Sequence, residues 1–203
     1  GPFVLSQAEM KPAELGSPKA VAANQMYVDL MRTHKVVPPS APNDGFNEII
    51  NGFKSGQTAM IFHHIGSSKT MHDTHGDKVS AVPVPACGGK RWTSFGDESN
   101  ALFKQSKVKD AAWKWMSYLS GEGNDKVVGA TGQMTVTKSG VSQVAFQPRF
   151  AKATSDSLPF AAILPPVPQT SDFVSNVWPT NMQRALNGEI TSAQMMEAIA
   201  KHY

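Results

Sequence analysis

The apolar residues of this chain fall into short stripes separated by clear stop signals. Ala20, Ala23, Tyr27, Leu30 and Met31 recur at helical spacing and predict an amphipathic helix. Ser17 stands before it as N-cap, and Pro18 fills the first helical position, where a missing N–H costs nothing. Val36-Val37-Pro38-Pro39 then forces extended chain. Phe46, Ile49, Ile50 and Phe53 predict a second helix, with Gly56 supplying the left-handed turn that stops it. Ala59 to Phe62 is a continuous apolar run, the pattern of a strand buried on both faces, and it leads straight into His63-His64-Ile65-Gly66-Ser67-Ser68. Val79 to Val84 and Ala101 to Phe103 predict further strands, and Thr131 to Val136 reads as extended.

The strongest helical stripe is Val108, Ala112, Trp115, Met116 and Leu119, closed by Ser120-Gly121. It places Trp115 on an apolar face and so in a core. Trp178 precedes Pro179, which biases it out of the helical region and predicts a helix starting at Pro179. Asn187-Gly188 caps that helix, and Thr191-Ser192-Ala193-Gln194 is a capping box for the last one.

Composition narrows the reading. Apolar residues make up 40% of the 203 and charged residues only 17%, which describes a globular chain with a lightly charged surface. The net charge of +3 is not gathered into a stripe, so no nucleic-acid partner is expected. Apolar runs stop near five residues, far short of a membrane span. Gly1-Pro2-Phe3 has no signal-peptide pattern; Gly1-Pro2 reads as a protease scar or as the start of a fragment. The single cysteine, Cys87, excludes an internal disulfide, and it fits the cytoplasm and the periplasm equally.

Three anchors follow in order. Phe53-x-Ser55-Gly56-x-x-Ala59-Met60 runs into the first strand. Phe95-Gly96-Asp97-Glu98-Ser99-Asn100-Ala101-Leu102 precedes a lysine-rich helix start and Asp110-Ala111-Ala112-Trp113-Lys114-Trp115-Met116-x-x-Leu119-Ser120. Trp178 is followed by Ala185-Leu186-Asn187-Gly188-Glu189-Ile190-Thr191 and a final helix. This ordered set resembles the C-terminal half of the solute-binding proteins of ABC sugar importers, the maltose-binding-protein-like group. The resemblance implies an α/β, type II periplasmic-binding-protein-like fold: most of the second lobe plus a crossover segment belonging to the first. Residues 1–94 resemble a second-lobe segment, 95–145 the crossover, and 146–203 the return to the second lobe with C-terminal helices. It also implies a periplasmic or extracellular protein that captures a sugar or oligosaccharide in an interlobe cleft and passes it to the membrane permease. The other cleft wall would come from a missing N-terminal half or a swapped copy of the chain.

Under that resemblance the ligand-binding candidates are His63, His64, Gly66, Ser67, Asp97, Glu98, Asn176 and Trp178. Gly66 stands where the family often has a tryptophan, so aromatic stacking moves away from this loop. Residues adjacent on a strand face opposite ways, so at most one of His63 and His64 reaches a cleft. Gly66 and Ser67 can offer backbone N–H groups. Trp178 can cover the apolar face of a sugar while keeping its N–H available, with Asn176 and Asp172 nearby. The function alternative is a carbohydrate-acting enzyme domain using Glu98 as acid or base; yet glycosidase carboxyls flank the scissile bond, whereas Asp97 and Glu98 diverge as strand neighbours. Neither reading calls for a cofactor. His63, His64, His72 and His75, even with Asp73 and Asp77, make no plausible zinc set and read as solvated loop histidines.

Overall fold

The computed structural model describes residues 12–86, 89–96, 99–131, 133, 135, 137, 148–164 and 168–202. Its helices, in chain order, are α1 (Pro12–Leu15), α2 (Pro18–Arg32), α3 (Phe46–Lys54), α4 (Ser68–His75), α5 (Lys109–Leu119), α6 (Glu122–Thr131), α7 (Pro148–Ser157), α8 (Gln169–Asp172), α9 (Trp178–Asn187) and α10 (Ser192–Ala200). The chain divides into two compact units, one of residues 1–60, 86–95 and 162–203, the other of residues 61–85 and 96–161.

The first unit is helical and has a clear core. Ser17 caps α2 by accepting the Ala20 N–H at 3.3 Å. Thr191 and Gln194 close the capping box of α10, at 2.8 and 3.2 Å. These caps set where α2 and α10 begin, and the two helices then pack on each other and on α1 and α9. Leu15, Ala20, Val28, Ala185, Met195, Met196 and Ile199 form the buried cluster. Asn24 is also fully buried there, its amide donating to the Met195 sulfur at 3.3 Å. Gly188 ends α9 with φ at +79°, and the Arg32 guanidinium lies over it, donating to the Leu186 carbonyl at 3.3 Å. Lys35, just past α2, also has positive φ (56°). The described strands are two short ones, Thr93–Ser94 and Ala161–Ala162, joined in one two-stranded sheet; the Phe95 N–H donates to the Ala162 carbonyl at 2.8 Å.

Trp178 departs from the sequence expectation. It is helical (φ −64°, ψ −53°) and continuous with a π turn at Phe173–Val177, its N–H reaching the Phe173 carbonyl five residues back. The pre-proline preference is a bias that tertiary and local bonds can override, and here the Trp178 N–H bond to Phe173 holds Trp178 in the helical region.

The second unit buries less. Among its described residues, Met71, Val79, Phe150 and Ala153 are the buried apolar ones, with Ser67, Ser68 and Gly123. Tyr118 of α5 lies against Gly123, so close that a Cβ there would sit 2.3 Å from the ring. Three runs expected as strands, 59–62, 79–84 and 101–103, are outside any helix or ladder. Met60 and Phe62 are 87% and 64% exposed. A central strand is held by ladder bonds from both sides, and no described residue offers those partners here. Trp115 likewise departs from its expected core position, being 60% exposed and stacked on Tyr118 with centroids 5.8 Å apart. Phe103, Val108, Trp113 and Val127 in the same unit are exposed too. Among the described residues, no helix is long and apolar enough to cross a membrane.

Candidate functional site

The loop at residues 63–68 turns extended chain into helix, and its polar residues close on one another. His64 has extended backbone (φ −79°, ψ 158°) and caps the single turn Ile65–Ser67, which runs into α4. Its Nδ1 accepts the Gly66 N–H at 3.1 Å, the task a serine or aspartate usually performs. The Ser67 N–H donates to the His64 carbonyl at 3.2 Å. Ser67 is buried, with its Oγ 2.7 Å from His63 Nδ1 and 3.4 Å from His64 Nε2.

Strand alternation does not separate the two histidines. Their ring centroids are 4.8 Å apart at an interplanar angle of 36°. The reason is that residues 61–64 belong to no ladder, and the cap draws the His64 ring back over the turn, beside Ser67. Gly66 is required by this geometry: a Cβ there would meet the His64 ring at 2.7 Å and Gln133 Cγ at 3.4 Å. A tryptophan at this position would displace the ring that caps the turn. Four of the eight candidates (His63, His64, Gly66 and Ser67) are thus brought together.

Asn176 and Trp178 lie in the first unit. Asn176 is exposed and its amide donates to Asp172 Oδ1 at 2.6 Å. Trp178 is half-buried, edge-on to Phe173 at 5.9 Å and 60°, and packed against the buried cluster. Asp97 and Glu98 lie outside the described residues. Among the described residues, no three His, Cys, Asp or Glu side chains come together as a metal site.

One polar cluster was not foreseen. Thr135 Oγ1 lies 2.8 Å from Asp125 Oδ1 and 2.9 Å from Asn124 Oδ1, and the Thr137 hydroxyl donates to the same Asp125 oxygen. These contacts tie the chain after α6 back onto its first turn. The alternation of Thr135 and Thr137 beside an Asn-Asp helix start was the available signal, hidden because the contacts span 10 to 12 residues.

The profile of the bacterial extracellular solute-binding proteins matches residues 3–126, more than half of the chain. The chain belongs to that family. Membership places it outside the cytoplasm, in the periplasm or the extracellular space. The maltose-bound MalE3 of T. maritima superposes with a TM-score of 0.77 at 25% identity, over 92% of this chain and 50% of that one. An ABC transporter solute-binding protein from Thermotoga lettingae, bound with α-D-tagatose, gives 0.79 at 23% identity, over 92% and 48%. The maltose-maltodextrin-binding protein of Alicyclobacillus acidocaldarius gives 0.75 at 18%, over 100% and 55%. Among curated proteins, none matches this chain by sequence. The chain spans about half the length of the solved structures it matches. The type II solute-binding fold expected from the sequence is therefore present, in a family of substrate-binding proteins rather than enzymes. Nothing supports the enzyme alternative with Glu98 as acid or base.

Proposed function

We propose that this solute-binding chain forms part of the sugar-capturing component of an ABC importer, which takes up a sugar or oligosaccharide and delivers it to the membrane permease. The observation that carries this reading is the family match joined to the fold of the maltose-bound MalE3, at 25% identity. His63, His64, Gly66 and Ser67 are the proposed polar contacts. Their loop brings imidazole nitrogens and a hydroxyl within a few ångströms, group types that bond sugar hydroxyls, whereas the Gly66 and Ser67 N–H groups expected as donors are taken up by His64 within the turn. Trp178 is proposed to stack on a sugar face through its uncovered part, with Asn176 and, from sequence alone, Asp97 and Glu98 as further hydrogen-bonding groups.

We further propose that residues 95–145 belong to the first lobe, between 1–94 and 146–203 of the second, and that a missing N-terminal half or a swapped copy covers this segment. Its exposed Phe103, Val108, Trp113, Trp115 and Val127 support that reading, since one solvated large apolar residue is ordinary but five on one segment fit a surface that another chain covers. The test of function is calorimetry on the full-length protein with maltose, maltotriose and D-tagatose, alongside a product assay. Saturable binding of one of them without turnover is expected. No heat from any neutral mono- or oligosaccharide, or accumulation of hydrolysis products, refutes the proposal.

A further inference from the structure

We infer that the backbone carbonyl of Val174, left open by the π turn and by Pro179, accepts a hydrogen bond from a sugar hydroxyl beside Trp178; this rests on the reading of Trp178 as a sugar-stacking ring. The inference comes from the N–H groups that a helix could aim at that oxygen. A regular turn would supply the Trp178 N–H, four residues on, but that N–H donates to the Phe173 carbonyl, five residues back. The π spacing would supply residue 179, which is proline and has no N–H. The Val177 N–H, three residues on, lies inside the π turn, where bonds run five residues back rather than three. Among the described residues the nearby side-chain donors are directed elsewhere. The Asn181 amide donates to the Val177 carbonyl at 2.8 Å and the Asn176 amide to Asp172 Oδ1 at 2.6 Å.

The position of this oxygen suits a ligand. Helix carbonyls point towards the C-terminus, so the Val174 carbonyl is directed to the Pro179 side of the turn, next to Trp178. Phe173, Val177 and Trp178 pack against the buried cluster, whereas Val174 is 47% exposed and Ser175, Asn176 and Pro179 are exposed with it. An exposed carbonyl is bonded by solvent, and a ligand that displaces that solvent must return the bond. A carbonyl accepts and never donates, so the ligand must bring an O–H or N–H. A sugar with a free hydroxyl at this place is therefore favoured over its deoxy or O-methyl counterpart.

The test is carbonyl-carbon NMR and calorimetry on the full-length protein with maltose, maltotriose and D-tagatose in turn, for the parent and Pro179→Ala. In the parent the Val174 carbonyl resonance is expected to move as the bound sugar saturates the protein. Pro179→Ala supplies an N–H at the π spacing and closes the acceptor. It should abolish that movement and weaken sugar binding about tenfold, the loss of one hydrogen bond, with urea unfolding showing that the variant is folded. A Val174 carbonyl that bound sugar leaves unmoved, or a folded Pro179→Ala that binds as tightly as the parent, overturns the inference while the sugar-binding reading stands. If the parent binds no neutral sugar, the proposed function and this inference fall together.

Discussion

Replacing Trp178 and Trp115 by alanine asks the fold two opposite questions. Trp178 is half-buried against Phe173 and the buried cluster of the first unit, whereas Trp115 is 60% exposed. A tryptophan covers roughly 150–250 Å² when buried, so half coverage is about 100 Å², and at about 25 cal/mol/Å² the packing of Trp178 stabilises by ~2.5 kcal/mol. Trp178→Ala should lower stability by that order, while Trp115→Ala in the 203-residue chain stays within ~0.5 kcal/mol, as solvated surface positions do. Urea unfolding followed by circular dichroism measures both. Trp178→Phe keeps a ring against Phe173 and recovers most of the loss, so its sugar affinity reports the indole's contact with ligand separately from its packing. In the full-length protein Trp115→Ala should cost more than in the isolated chain, by ~2 kcal/mol if the other lobe buries the ring. A large loss from Trp115→Ala in the isolated chain, or equal small losses in both forms, refutes the reasoning about which surface waits for a cover.

Two further outcomes follow from particular contacts. Gly188→Ala forces a φ of +79° on a residue with a Cβ, so it should destabilise by about 1–2 kcal/mol, with a smaller addition because the flexible Arg32 guanidinium must swing aside; Arg32→Ala should relieve that addition in a double-mutant cycle by urea unfolding, and strictly additive losses would show that Arg32 does not press on this turn. The Lys201 hydrogen bond and charge hold the Glu197 carboxyl below its ordinary value of 4.5; folded stability from this pair is present above pH 4.5 and lost as pH falls through the lowered folded value, which a carboxyl NMR titration of the parent and Lys201→Ala checks by an upward move in the variant.

What the sequence revealed depended on how local the cause was. The Ser17 cap, the Thr191–Gln194 box and the Gly188 turn are decided within four residues, and each is where the pattern put it. The runs at 59–62 and 79–84 carry the composition of buried strands, but a strand is completed by its neighbours. The chain spans half the length of the proteins it resembles in fold. Apolar composition predicted burial correctly at Val79 and failed at Met60, Phe62 and Trp115.

The candidate loop shows the same division at a finer scale. Two histidines, a glycine and two serines after an apolar run were enough to locate a polar loop. Alternation then predicted one histidine per face, because it assumed a ladder that residues 61–64 lack. Freed from that register, His64 is governed by the nearest unsatisfied backbone donor, the Gly66 N–H, and its ring comes to rest beside His63. A side chain's direction in such a loop is set by the first orphan N–H it can reach, and the glycine two residues on, too small to block that ring, is the sequence mark of the arrangement.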